Sequence, residues 1–269
     1  MLPERIVSRK LLDLREMGAS NNKVFQFSYS KKQYFAKIYK EQVGFQRETY
    51  ALENFGKSDI PVPEIVFKST SFGTDESCLV VTRQIKGTPL DNIRCRRKTY
   101  CFQAGRVLSK IHALKVAGTA PPLVIPVEEI AKQLAVFAKE EKIRHPLLQS
   151  IAQTLEELNS SHHVVMSHGD FIGRHILVSG GSISGIIDWE NLRTARPEFD
   201  LGHSRALLEV FGGSEEEHEF VKGYSLPFDE NLTRKLKFYY QVLFASYWKR
   251  EKKIDKYQRA VRFIKAQPA

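Results

Sequence analysis

Asp170 and Asp188 stand 18 residues apart (188 − 170), each in a short polar stretch: His168-Gly169-Asp170 and Asp188-Trp189-Glu190. A carboxylate in a polar loop can position a hydroxyl group and accept its proton, and a second carboxylate can hold a hard cation such as Mg²⁺. Asp170 is the candidate for the first role, and Asp188, with His175 beside it, for the second. The sequence between them shows how they could meet. Val164–Met166 is an apolar run ending in the loop of His168 and Asp170, and Ile176-Leu177-Val178 is a second run. Gly180-Gly181 is a two-residue hairpin signal, after which residues 183–187 return antiparallel. With that turn, Val178 faces Ile183 and His175 faces Ile186, so Asp188 leaves its strand beside His175 and close to the loop of Asp170. His162, His163 and His168 have neither the spacing nor the thiolate partners of a zinc site, and His168 is expected to orient the loop.

The chain that must position these groups has 269 residues, 42% hydrophobic and 27% charged, which is enough for one large domain or two lobes. No run reaches the ~18 apolar residues of a membrane span, and the first residues lack the apolar core of a signal peptide. The three cysteines, Cys78, Cys95 and Cys101, have no metal-ligand spacing, which fits reduced thiols in a cytoplasm. The net charge of +10 is compatible with nucleotide phosphates or RNA, and equally with an ordinary lysine-rich surface.

Residues 4–16 carry apolar positions at helical spacing, and the cluster from Met17 to Lys23 reads as a turn. The small-residue loop around Ser20 can approach phosphates with its backbone N–H groups, or be a plain turn. Val24–Tyr29 and Tyr34–Tyr39 read as strands joined by Ser30-Lys31-Lys32, with Lys37 on the face opposite Ala36 and Ile38. Residues 42–56 read as a helix through Phe45, Tyr50, Leu52 and Phe55, with Glu48 either a partner for Lys37 or a solvated residue near Arg47. A strand over Cys78–Thr82 runs towards Gly87. Arg94–Lys98 is the densest basic cluster, read first as a solvated helix face. Helices are expected over 100–114, over 127–158 with a break near His145-Pro146, and over 232–248, followed by a basic amphipathic tail.

The His-Gly-Asp loop, the ligand position five residues after Asp170 and the Ile-Ile-Asp-Trp-Glu segment together resemble the aminoglycoside phosphotransferase and choline kinase-like superfamily. The resemblance implies a protein-kinase-like, two-lobed α+β fold, with a strand-rich N-terminal nucleotide-binding lobe over 1–86 and a helical catalytic and acceptor-binding lobe over 87–269. It implies transfer of the γ-phosphate of ATP or GTP, with Mg²⁺, to a hydroxyl of a small molecule, in a cytoplasmic enzyme of antibiotic-resistance type. Asp170 would be catalytic. Ser20 and Lys37 would hold phosphates, Glu48 would orient Lys37, and backbone groups at Arg83 to Ile85 would meet the base. Asp188 and His175 would sit at the metal, and Asp200 would support the catalytic loop. His175 departs from the family's usual Asn and resembles a subset that includes macrolide phosphotransferases, some of whose members use GTP.

Other readings stay open. A nucleotide-binding pseudokinase is kept by His175, a protein kinase is disfavoured by the His-Gly-Asp and Asp-Trp-Glu segments, and a basic RNA-binding module is motivated by charge alone. Acidic residues at Glu209, Glu215–Glu217, Glu219, Asp229 and Glu230 could pair a cationic acceptor, but the glutamate run follows Gly212-Gly213-Ser214 and reads as a helix start. A neutral, weakly charged or anionic acceptor is therefore expected over a polycationic one.

Overall fold

The structure is a computed structural model that describes residues 15–17, 22–72, 77–115, 127–143, 154–155 and 164–266. The chain forms two compact units, one of residues 1–93 with 174–192 and one of residues 94–173 with 193–269.

The first unit is built on a five-stranded antiparallel sheet of β1 (Arg15–Met17), β2 (Lys23–Tyr29), β3 (Lys32–Tyr39), β4 (Ile65–Phe72) and β5 (Ser77–Arg83), in the order β1-β2-β3-β5-β4. Alternation sets its faces. Phe27, Tyr34, Ala36, Leu79 and Val81 bury one side, which leaves Lys37 on the other. The β2–β3 turn is made by Ser30 (φ 49°) and Lys31 (φ 63°), two left-handed residues in a position that usually goes to Asn-Gly. Lys32 therefore begins the strand rather than ending the turn. Arg15 and Glu16 pair with Gln26 and Phe25 as an edge strand, so the end of the expected 4–16 helix is extended. Residues 1–14 lie outside the described set.

Helix α1 (Gln42–Phe55) forms where its periodicity places it. Phe45, Glu48, Thr49, Ala51, Leu52 and Phe55 make the buried stripe, and Glu48 is its one charged member.

A smaller sheet joins β6 (Thr88–Pro89), β8 (Ile176–Ser179) and β9 (Ser182–Ile186) in the order β6-β8-β9. Gly180 (φ 60°) and Gly181 (φ 88°) make its hairpin turn. Val178 faces Ile183 as expected, but Ile186 faces Ile176, not His175. The cause is a bulge at Ser184, whose hydroxyl donates to the Lys86 carbonyl at 2.9 Å. His175 still meets the returning strand, because its carbonyl accepts from Ile187 N–H at 3.0 Å. The pairing of Thr88 and Pro89 with Val178 and Leu177 ties residues beyond 86 to the first unit, so the two units do not divide at a single point in the chain.

The second unit is helical: α2 (Arg97–His112), α3 (Val127–Glu141), α4 (Pro197–Phe211), α5 (Ser214–Gly223), α6 (Glu230–Arg250) and α7 (Ile254–Ala266). A two-stranded pair, β7 (Val165–Ser167) with β10 (Arg193–Ala195), adjoins them. Its core takes Leu134 and Phe137 from α3, Phe199, Leu207 and Val210 from α4, Leu236, Val242 and Trp248 from α6, and Val261 and Ile264 from α7. Asp229 caps α6 by accepting from Leu232 N–H at 3.0 Å. A Cβ on Gly223 would lie 2.0 Å from the Phe102 carbonyl, so glycine is what lets α5 approach α2 this closely. Among the described residues, no helix is long and apolar enough to cross a membrane. His162 and His163 lie outside the described residues.

Candidate active site

In the first unit, Lys37 is the centre of a charge cluster. Strand β3 presents it opposite the buried face, and its ammonium lies 2.7 Å from Glu48, 2.5 Å from Asp188 and 2.7 Å from Glu190. Glu48 reaches it from the buried stripe of α1 and also accepts from Tyr39 O–H at 2.7 Å. Burial is the largest influence on Lys37 and works against its charge, but the three carboxylates outweigh it and its pKa is raised. Burial pushes Glu48 the opposite way, up, with Lys37 opposing. One cation against three anions leaves a formal −2 (+1 − 3). Oxygen atoms of Glu48, Asp188 and Glu190 lie within 4.8 Å of one another. An all-carboxylate donor set with excess negative charge fits a hard divalent ion such as Mg²⁺.

Local backbone geometry delivers Asp188 and Glu190 to this point. Asp188 is left-handed (φ 67°, ψ 63°) and opens a 3₁₀ turn over Trp189–Asn191. Aspartate tolerates that region better than most residues, and such conformations concentrate at functional sites. Trp189 anchors the turn: it is fully buried, stands edge-on to Phe55 at 5.0 Å between ring centroids, and donates from Nε1 to the Ile186 carbonyl at 3.0 Å. On the other side of the carboxylate, His175 Nε2 lies 3.2 Å from Asp188 Oδ2. Asn22 donates to Glu190 and accepts from Lys40 N–H at 3.0 Å, which links the start of β2 to the cluster.

In the second unit, the loop after β7 carries Asp170. Gly169 is left-handed (φ 79°), which explains a glycine at this position. Asp200, on the first turn of α4, holds the loop through its backbone. Its Oδ2 accepts from His168 N–H at 2.8 Å, and its Oδ1 accepts from Gly169 N–H at 2.9 Å. His112 Nε2 lies 3.1 Å from Oδ2, and Tyr224 O–H is 2.8 Å from His112 Nδ1. Burial opposes the charge on Asp200, but the His112 contact, the neighbouring His168 imidazole and the Gly169 amide outweigh it. The carboxyl is held well below its usual range. His168 is buried beneath the loop, packs edge-on to Phe171, and its Nδ1 accepts from Asp170 N–H at 3.2 Å. Ser204 O–H donates to the Phe171 carbonyl, which fastens the loop's far side to α4.

Of the residues that sequence reasoning singled out, Lys37, Glu48, Asp188 and His175 come together in the first unit, while Asp170 belongs to the second. Ser20 lies outside the described residues. Arg83 N–H donates to the Glu64 carbonyl at 2.9 Å and Gln84 N–H to the Gln33 carbonyl at 3.0 Å, so these two donors are already engaged. Ile85 packs its side chain over Gly185. Glu190 and Asn22 had no assigned role. Glu190 could have been suspected from its place two residues after Asp188, the reach of one tight turn.

The family described as "Phosphotransferase enzyme family" matches residues 14–239. No curated protein sequence matches the chain. Solved structures share its fold at low identity. A ternary complex of a thermostable mutant of aminoglycoside phosphotransferase APH(4)-Ia with ADP and hygromycin B is 16% identical, with a TM-score of 0.65 and coverage of 97% of this chain and 96% of that one. An aminoglycoside-3'-phosphotransferase of type VIII is 18% identical, with a TM-score of 0.65 over 89% and 96% of the two chains. The macrolide 2'-phosphotransferase MphH from Brachybacterium faecium is 16% identical, with a TM-score of 0.63 over 95% and 92%. The α+β fold with a strand-rich N-terminal part, implied by the motifs, is thus shared with these phosphotransferases.

Proposed function

Because the chain belongs to the phosphotransferase enzyme family, we propose that it transfers the γ-phosphoryl group of a nucleoside triphosphate, ATP or GTP, to a hydroxyl group of a small molecule. The observation that carries this reading is Lys37 held between Glu48, Asp188 and Glu190. An ammonium fixed by a buried glutamate is a cation kept in place for phosphate oxygens, and the excess carboxylate charge suits the metal that accompanies them. In this reading Asp188, Glu190 and His175 would hold Mg²⁺, which would neutralise phosphate charge. The first unit serves the nucleotide, with the loop near Ser20 and the backbone groups from Arg83 to Ile85 other than the engaged Arg83 and Gln84 N–H completing its site. The second unit serves the acceptor.

Asp170 accepts the acceptor's hydroxyl proton as the new O–P bond forms and the bond from the γ-phosphorus to the leaving nucleoside diphosphate breaks. Such catalysis is mainly positioning and charge neutralisation. The acceptor is neutral, weakly charged or anionic. Aminoglycosides and macrolides are the competing classes, because the relatives named above act on them.

The test is a transfer assay with ATP and GTP against aminoglycosides, macrolides, sugars and amino alcohols, run on the parent and on Asp170→Asn. The variant is expected to lose about 10²–10⁴ in turnover while nucleotide affinity stays near the parent's. Parental turnover in Asp170→Asn would remove the base assignment. A pseudokinase, the reading that His175 keeps alive, would bind nucleotide and transfer to no acceptor.

A further inference from the structure

The second unit contains an imidazole that the sequence motifs left without a role. His203 lies on α4, one turn beyond Asp200, and its Nε2 is 3.6 Å from Asp170 Oδ1. Its ring plane is fixed by stacking on Tyr240, at 4.5 Å between centroids and 11° between planes, and on Phe244 at 5.2 Å and 27°. The Tyr240 phenol is kept neutral, because burial pushes its pKa up, so the stack adds no charge beside the imidazole. Helix α4 therefore carries two groups that act on one loop. Asp200 holds its backbone at His168 and Gly169, and His203 faces the side chain of Asp170. Packing alone does not call for a histidine here. A phenylalanine would stack on Tyr240 and Phe244 equally well and leave no polar nitrogen to place, so what is particular to His203 is the nitrogen aimed at Asp170.

We propose that His203 is a positioning residue for Asp170: its Nε2–H donates to Oδ1 and leaves Oδ2 to meet the acceptor hydroxyl. The inference rests on the reading of Asp170 as the proton acceptor. During transfer the hydroxyl proton passes to Oδ2, and His203 keeps its own proton throughout. A separation of 3.6 Å is longer than a hydrogen bond, and contacts of this kind commonly tighten only when substrate binds.

Two substitutions separate the nitrogen from the ring. His203→Phe keeps the stack and removes the donor. His203→Gln gives up the stack but carries an amide N–H at about the reach of Nε2, which the shorter His203→Asn does not. Without the Nε2–H contact on Oδ1, His203→Phe is expected to lower kcat by about 10²-fold with the nucleotide KM unchanged. His203→Gln should recover most of that loss, and His203→Asn should not. In an Asp170→Asn background His203→Phe should have no further effect, because the group it positions is gone.

Parental kcat in His203→Phe, or a loss that persists undiminished in the Asp170→Asn background, overturns the inference while leaving the base reading in place. Parental turnover in Asp170→Asn alone overturns the base reading and this inference with it. Thermal melting checks that each variant is folded. Should His203→Phe fail to fold, Gln against Asn decides, and equal kcat in the two overturns the proposal.

Discussion

Replacing Asp200 by asparagine should destabilise the second unit and slow turnover together. The carboxylate is 1% exposed and accepts from two backbone N–H groups, at His168 and Gly169, with His112 Nε2 3.1 Å away. Asparagine turns one of its two oxygens into an NH₂ donor. If that donor faces Gly169, one amide loses its acceptor. If it faces His168, an amide and an imidazole lose theirs. An unsatisfied buried donor costs about 1–3 kcal/mol, and removing one partner of a buried charged network costs about 3–5 kcal/mol. The larger figure applies, since His112 and the loop amides lose their anion at once. Against a typical total of about 5–15 kcal/mol, this should move a urea midpoint by a large fraction. Because the two amides fix the loop of Asp170, kcat should fall about 10²-fold. Tyr224→Phe is the graded control: it removes only the hydroxyl at the far end of the chain and should cost about 1 kcal/mol. An Asp200→Asn variant that unfolds within about 1 kcal/mol of the parent and turns over at the parental rate would show that the network does not hold the loop.

Lys37→Met should weaken nucleotide binding and destabilise the first unit by about 3–5 kcal/mol, since it leaves three carboxylates facing one another. Adding Glu48→Gln should restore stability but not nucleotide binding, as read by urea unfolding and titration. His175→Asn should keep activity and tighten the response to Mg²⁺ relative to Mn²⁺, because Mg²⁺ prefers oxygen ligands; much weaker Mg²⁺–nucleotide binding in the variant would count against that placement. The depressed Asp200 carboxyl gives a pH prediction. Its folded pKa lies below the unfolded value of about 3.9, so its stabilisation is complete above that value and is lost as pH falls through it towards the folded one. Parent stability should decline below about pH 4, and Asp200→Asn should show a shallower slope. Parallel pH profiles in urea would refute this.

What the sequence made legible was short-range pattern. Lys37 stands out because β3 alternates, and α1 is written in the spacing of Phe45, Leu52 and Phe55. Glu190 was legible as a neighbour of Asp188 but not in its direction, which depends on the left-handed backbone of Asp188 and on Trp189 docking against Phe55. The His175–Ile186 pairing failed for a similar reason: strand alternation carries no sign of the Ser184 bulge, which depends on a carbonyl 98 residues away. His112 reads as an ordinary core histidine until its partners appear 88 and 112 residues away in sequence. His203 was silent in the same way, since its stack comes from α6. The turn at Ser30-Lys31 runs against residue preference, and only the pairing of β2 with β3 accounts for it.

The distribution of charge bears on the acceptor. Residues 249–269 hold 8 of the 41 cations and 2 of the 31 anions, so they account for +6 of the net +10. The acids of the second unit that could have met a polycation are largely committed. Glu217 pairs with Arg205 and Lys237, Glu230 with Arg205, and Glu209 with Lys237 and Gln241. Glu198 pairs with Arg196, Glu215 with Lys98, and Asp229 caps α6. Glu215 to Glu217 open α5 and favour the positive end of that helix. A polycationic acceptor would have to compete with these internal partners for the same carboxylates, whereas a neutral or weakly charged one needs only a hydroxyl delivered to Asp170. The acids are paired within the helices of the second unit, and for that reason they are poorly placed to select a substrate by charge.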